Sequence, residues 1–478
     1  MKYKSITILI SGFMLLVVSC SNETSIENPF EAYLSVPHPS YQYELESVIE
    51  GDSHKTYIIS LISQEWSPGE QVREPVWKHW LTIVVPDEVG HETALLMIGS
   101  GTRNDELPEN PHPIVLEAAL ATNSITAHIH NVPSQPITFI GDEYGPRSED
   151  EIIAYGWRQF LEGGADNDDA IWLGRLPMTA SAMRAMDTVT DFADAELGLA
   201  VNNYVVTGAS KRGWTTWTTA IFDDRVVAIA PAVIDLLNVD PSFKHHWRAY
   251  GEWSPAIRDY EEETVMSWQE SSEYDRLIEI LDPFSYLDSL RMPKYLINAA
   301  SDEFFLPDSW QFYWDDLPGE KYLRYIPNTG HNLSGTGMET GLISFYNYIL
   351  NGRDLPDFDW TVTPQQIEVR YSQENPPDRL RLWNAHNPEA RDFRLYVIDR
   401  IWMARDLTVE EDGGVSVDLQ QPESGYTAWF VEAIYDADSE YPFTETTGVV
   451  VTPDTYPYEP FEADPPLGTI EYTQESDE

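Results

Sequence analysis

The sequence predicts an α/β protein: a mostly parallel sheet covered by helices, an insertion over one edge of it, and a small antiparallel β-domain towards the C-terminus. Three observations carry this reading. Between about residues 55 and 350, short apolar runs alternate with segments of helical periodicity, and such alternation means a sheet packed on both faces. The stretch VVTGASKRGW at 205–214 runs an apolar strand through a glycine-containing loop into a helix-like segment. Beyond Asn351-Gly352 the texture changes to alternating stretches such as IEVRY, RLRLW, VSVDL and TAWFVEAIY, separated by turn residues. That pattern predicts about seven strands in an immunoglobulin-like β-sandwich over 360–452.

Taken in order, 57–62 and 80–85 read as strands, the second stopped by Pro86-Asp87. The run 94–98 is closed by Gly99-Ser100-Gly101, and 125–129 by Asn131-Val132-Pro133. Segments 151–161 and 180–197 carry apolar residues at three-to-four spacing and read as amphipathic helices. Strands follow at 204–207, 226–230, 294–299 and 321–326. Ligands on such sheets bind at the carboxyl ends of the strands, where these loops lie. A stretch rich in Trp, Tyr and acids, about 240–283, interrupts the alternation and is expected to cap that edge of a domain spanning 33–352. The segment 453–478 is rich in Pro, Glu and Asp without a core pattern, and disorder is expected there.

The charge balance is extreme, with 29 Lys and Arg against 80 Asp and Glu and a formal net charge of −51. Such a surface repels nucleic acid and anionic headgroups, whose recognition needs Lys and Arg. It reads either as a solvated face suited to high salt, where screening shortens to about 3 Å at 1 M, or as an attractor of cations or basic partners. The first reading points to a marine or halophilic source.

The single cysteine, Cys20, excludes an internal disulfide framework. Lys2 and Lys4 precede an apolar run at 6–18 that is too short to span a bilayer, followed by Val17-Val18-Ser19-Cys20. This reads as a signal peptide over 1–19, and its end resembles a bacterial lipoprotein box in which the cysteine is acylated. Residues 20–32 then form a polar tether. Ser21 after the cysteine resembles the outer-membrane sorting pattern, which places the protein at the cell envelope with a lipid anchor as its only membrane contact.

A serine hydroxyl is a weak nucleophile unless a base takes its proton and a third group orients that base. Around Ser210 the usual G-x-S-x-G is altered, because Arg212 stands where the last glycine belongs and Gly213 follows. Further along, Asp302 lies just after the strand at 294–299, and His331 lies in a glycine-containing loop after the strand at 321–326. Ser210, Asp302 and His331 thus occur in the order acid-then-histidine that a nucleophile elbow requires, each at a strand-to-loop transition. Glu303 and Asp308 are alternative acids. The oxyanion hole is expected from the N–H of Lys211 and one from the loop after 94–98, Gly101 or Thr102.

With those residues in place, the chain resembles the PhoPQ-activated pathogenicity-related proteins, a branch of the α/β-hydrolases. The resemblance rests on GASKRGWTTW around Ser210, REPVWKHWLTIVVP at 73–86, WLGRLPMTASAMRAMD at 172–187, NAASDEFF at 298–305 and PNTGHN at 327–332. It covers roughly residues 30 to 450 and implies an α/β-hydrolase fold with Ser210, Asp302 and His331 as the triad. It implies no substrate. The basic residue after the serine, with glycine two places on, also resembles glucuronoyl esterases, which act on esters of an acidic sugar. Lys211 and Arg212 therefore either hold an oxyanion or a substrate carboxylate, or pair with local acids.

Other candidates are weaker. His128 and His130 could face one side of a strand as a metal pair, but no third ligand stands at a convincing spacing, and a structural role is favoured. His246 and Trp247, in the expected cap, read as substrate-facing or as surface. ADNDDA at 165–170 lacks the Ca²⁺-loop spacing. The expectation is therefore a serine hydrolase without metal or cofactor, cleaving esters or, as an alternative, peptide bonds in a small-molecule, glycan or peptide substrate. The rival from another class is a binding or signalling protein on a hydrolase scaffold.

Overall fold

The structure is a computed structural model, and it describes residues 28–470. Cys20, the apolar run before it and the last eight residues lie outside the described residues. In chain order the strands are β1 (Gln42–Glu50), β2 (His54–Glu65), β3 (Val76–Pro86), β4 (Thr93–Ile98) and β5 (Thr126–Ile129). A two-residue pair, β6 (Ile137–Thr138) and β7 (Pro146–Arg147), comes next. The run then continues with β8 (Asn203–Ala209), β9 (Val226–Ala232), β10 (Lys294–Ala299) and β11 (Lys321–Ile326).

Nine of these strands form one sheet in the order β1-β2-β3-β5-β4-β8-β9-β10-β11. The links among β1, β2, β3 and β5 are antiparallel. From β5 through β11 every neighbouring pair is parallel. This is the α/β-hydrolase sheet. Its parallel strands are buried on both faces, as the continuous apolar run of β8 requires. The chain adds β5 on one side of β4 and returns to place β8 on the other, so the switch point lies between β4 and β8. Ile98 is paired with Gly208 there, and ligand crevices open at such points.

Helices α1 (Pro29–Ser35), α2 (Pro113–Thr122), α3 (Asp150–Gly163), α4 (Arg175–Phe192) and α5 (Lys211–Phe222) come before the capping stretch. The α4 helix starts five residues before the amphipathic pattern suggests. Pro177 sits in its first turn, where a missing N–H costs nothing. The stretch expected to cap the sheet supplies α6 (Val239–Tyr250), α7 (Arg258–Glu262) and α8 (Ser272–Leu281), and α9 (Met338–Leu350) closes this part of the chain.

The C-terminal strands are β12 (Phe358–Val362), β13 (Gln366–Tyr371), β14 (Arg379–Asn387), β15 (Met403–Leu407), β16 (Gly414–Asp418), β17 (Tyr426–Tyr435), β18 (Phe443–Thr446) and β19 (Val450–Thr452). They form a three-stranded sheet, β12-β13-β16, and a five-stranded one, β15-β14-β17-β18 with β19 on β17. Ile367, Val369, Leu382 and Val431 from these sheets share one apolar cluster with Tyr295 and Ile326 of the large sheet and Phe345 of α9.

Two expectations are corrected. The end of the supposed tether is a helix: α1 opens at a side-chain cap by Asn28 and buries Phe30 completely. The segment expected to be disordered is laid across the cap from 453 to 470. Tyr456 hydrogen-bonds His245 at 2.7 Å, Phe461 packs on Trp247 and Trp253, and Thr469 meets Glu273. A few aromatic anchors hold this strap on another element's surface, which is why no core pattern of its own is visible.

Candidate active site

The turn from β8 into α5 is sharp. Ser210 has φ 58° and ψ −127°, a strained conformation for a residue with a Cβ. Its N–H donates to the Ala232 carbonyl and its own carbonyl accepts from Trp214 N, so the turn is held from both sides. The spacing G-x-S-x-x-G follows from close approach. A Cβ on Gly208 would lie 2.6 Å from the Arg212 carbonyl oxygen, and one on Gly213 would lie 2.7 Å from Ile234 Cγ2. Strand and helix cross so closely that both positions exclude side chains, while Lys211 and Arg212 point elsewhere.

His331 Nδ1 lies 3.0 and 2.9 Å from the two Asp302 oxygens. Asp302 is 3 % exposed. Its Oδ1 also accepts from Phe304 N, which fixes the carboxylate. Nδ1 therefore carries the proton, and Nε2 makes no hydrogen bond, to Ser210 or to any other described group. The alternative acids do other work: Glu303 Oε2 accepts from His331 N at 2.7 Å, while Asp308 pairs with His245 and Arg391. The Phe304 ring lies 4.2 Å from the His331 ring and lines the same cavity as Ser210.

Lys211 N, at the first position of α5, has no intrahelical partner. The Gly101 N–H likewise has no protein partner among the described residues. Thr102 is different: its N–H donates to Asp105 Oδ2 at 2.7 Å and its hydroxyl to Oδ1 at 2.8 Å. Its amide is committed, and of the two expected donors only Gly101 is free.

The expected substrate contacts are also corrected. Arg212 is 7 % exposed; it donates to the Val132 carbonyl and pairs with Glu149 at 2.6 Å. Lys211 Nζ lies 2.8 Å from Glu149 and 2.9 Å from Asp150. Burial would raise the Glu149 carboxyl, but the Arg212 hydrogen bond and the Lys211 charge hold it down at about 2. Both cations thus pair with local acids. His246 is 2 % exposed and accepts from Ser254 N; burial pushes its pKa down to about 3. Trp247 lies under Phe461 of the strap. Neither lines the Ser210 cavity. The His128 and His130 rings do lie together, with centroids 3.9 Å apart, and the His112 ring meets His128 edge-on at 5.1 Å. Among the described residues no three such side chains are placed to hold a metal ion.

The cavity beside Ser210 measures about 30 Å³, room for one water. Besides Lys211 and Trp214 of α5, its walls come from five places: Asp150 and Trp157 of α3, Arg175 of α4, Ile234 and Leu236 after β9, Phe243, Ile257 and Tyr260 of the capping stretch, and Phe304 and Phe305 after the acid. Of these, the α5 residues carried a signal in the sequence through the elbow, and Phe304 and Phe305 through adjacency to Asp302. The others reach the site through tertiary packing. A larger cleft of about 630 Å³ lies along the loop 327–336 and does not include Ser210.

Among solved structures, the acetyl xylan esterase from Paenibacillus sp. R4 is similar with a TM-score of 0.46 at 14 % identity, over 68 % of this chain and 96 % of that one. The glucuronoyl esterase from Solibacter usitatus has a TM-score of 0.39 at 14 % identity, over 67 % and 91 %. Autocrine proliferation repressor protein A of Dictyostelium discoideum is 34 % identical over 475 residues, spanning 94 % of this chain and 95 % of that protein. The pattern that defines the PhoPQ-activated pathogenicity-related proteins matches residues 30–394, so the chain belongs to that family.

Proposed function

We propose that this protein is a serine hydrolase that cleaves carboxylic esters through an acyl-enzyme. The observation that carries the reading is the His331–Asp302 contact, which leaves Nε2 unpartnered, together with Ser210 on a strained elbow behind the same aromatic wall. In this reading His331 Nε2 takes the Ser210 proton as Oγ attacks the carbonyl carbon. Asp302 stabilises the imidazolium, and the amides of Lys211 and Gly101 hold the oxyanion. The proton passes to the departing alkoxide. Water, deprotonated by His331, then releases the acid and restores Ser210. Esters are favoured because an alcohol leaves more easily than an amine.

We place this activity at the cell envelope, on the lipoprotein-like Val17-Val18-Ser19-Cys20, and read the two C-terminal sheets as an immunoglobulin-like sandwich that buttresses the sheet. A second reading has its own support. A cavity that holds one water, and a relative whose name describes repression of proliferation, favour a binding or signalling role. Treating residues 21–478 with a fluorophosphonate probe separates the two. The hydrolase reading expects labelling that is lost in Ser210→Ala and slowed at least about 1,000-fold in His331→Ala. A well-folded protein that takes up no label would leave the binding reading.

A further inference from the structure

We propose that the Ser210 cavity takes a substrate bearing a carboxylate on an apolar body, and that Arg175 is the residue that selects it. The inference rests on the same site as the hydrolase reading. Arg175 opens α4, is 3 % exposed and lines the cavity beside Ser210. Its guanidinium lies 4.4 Å over the Trp214 ring, one Nη donates to the Lys211 carbonyl at 2.9 Å, and Nε has no partner. Charge balance makes this cation stand out. Glu149 and Asp150 are already taken up by Lys211 and Arg212, and Tyr260 donates to Asp150. Among the described residues Arg175 has no ion pair of its own: it meets the Tyr260 hydroxyl, and the Asp150 charge that reaches it is shared with Lys211. Arginine stays protonated in proteins, and a buried charge without a counter-ion is costly. An anionic ligand would remove that cost, and a planar carboxylate fits the guanidinium fork.

The remaining walls narrow the class. Ile234, Leu236, Phe243, Ile257, Phe304 and Phe305 offer no hydrogen bonds, and the unpartnered indole N–H of Trp157 is a single donor, so an aryl or alkyl acid suits the cavity better than a sugar with its many hydroxyls. At about 30 Å³ the space is too small for such a body, and side chains from the capping stretch or Phe304 must swing aside to admit it.

The test is a tryptophan-fluorescence titration of the protein with 3-phenylpropionate and with its amide, the uncharged isostere, since Trp157 and Trp214 line the site. The wild type should bind the acid at least about ten-fold more tightly, the range of a hydrogen bond to a charged group. In Arg175→Gln the preference should fall to near one. Equal binding of acid and amide by the wild type, or a preference that survives in Arg175→Gln, overturns the inference. The wild-type comparison does not depend on how well the variant folds. Nor does it depend on catalysis: acid preference without fluorophosphonate labelling of Ser210 would sink the hydrolase reading and leave this one standing.

Discussion

At the scale of single residues, the site is held by two buried cations, Lys211 and Arg212, and the half-buried acid between them. Glu149 is the keystone, binding Lys211, Arg212 and Gln135 at once. Glu149→Gln keeps the shape and removes the charge, so two buried cations lose half of their compensation. Because the Glu149 side chain is 38 % exposed, water recovers part of the loss, and a destabilisation of about 1–2 kcal/mol is expected in urea melts. A second residue sets a pH response. His79 Nδ1 faces the His130 carbonyl oxygen at 3.0 Å and so carries the proton, leaving Nε2 to accept from Ser63 at 2.9 Å. Burial pushes its pKa down to about 4, whereas the unfolded chain takes up that proton near 6.5. The neutral ring's contribution is therefore complete above pH 6.5 and is lost as pH falls towards 4, by about 1.4 kcal/mol per unit. His79→Gln, which keeps one donor and one acceptor, should be less stable than wild type at pH 7, with a gap that narrows over that window. A gap independent of pH would mean that His79 titrates alike in both states.

Among the elements, the strand-turn-helix around Ser210 carries the clearest mechanical constraint. A Cβ on Gly208 would meet Arg212 backbone at 2.6 Å, whereas one on Gly213 would meet the Ile234 Cγ2 methyl at 2.7 Å and backbone oxygens only at 3.1 Å, so a side chain takes most of the strain there. Gly208→Ala should accordingly cost more than Gly213→Ala in fluorophosphonate labelling rate, by at least about ten-fold given the overpacking each introduces. Equal rates would mean that the elbow relaxes as a unit. This element was legible in the sequence because its constraint is local: an apolar strand, two glycines and a helical pattern stand within ten residues. The order of Ser210, Asp302 and His331 was legible because α/β sheets present their loops at one edge. Arg175 and Tyr260 were not, since one opens α4 and the other sits in the short α7, helices whose places depend on packing from far along the chain. Arg212 misled for a physical reason. A cation beside a nucleophile looks catalytic until the acid that neutralises it, 63 residues away, is placed against it.

Over the whole molecule, the formal charge of −51 sets a field that no local contact cancels. Added salt screens that repulsion, so stability should rise from 50 mM to 1 M NaCl, and a flat curve would count against the saline reading. The C-terminal strap, which sequence texture presented as disordered, ties distant parts together. Tyr456 bonds His245, whose other nitrogen meets Asp308, and Asp308 in turn binds Arg391 of the C-terminal region. Arg248 stacks on Tyr456, Tyr458 N donates to the Arg248 carbonyl, and Leu467 N donates to the Ser267 carbonyl. The elements beneath the strap carry Phe243, Ile257 and Tyr260 into the Ser210 cavity, so whatever loosens the strap loosens the cavity wall. Ending the chain at Pro453 would strip the cover from Trp247 and Trp253 and leave His245 without its tyrosine. A loss of about 2–5 kcal/mol follows from the apolar area exposed. Ser210 should then react faster with the fluorophosphonate probe, because the wall that shuts the cavity opens more often. Lower stability with an unchanged labelling rate would mean that the strap braces the fold without governing access, and the closed cavity would then have to open through Phe304 and Phe305 alone.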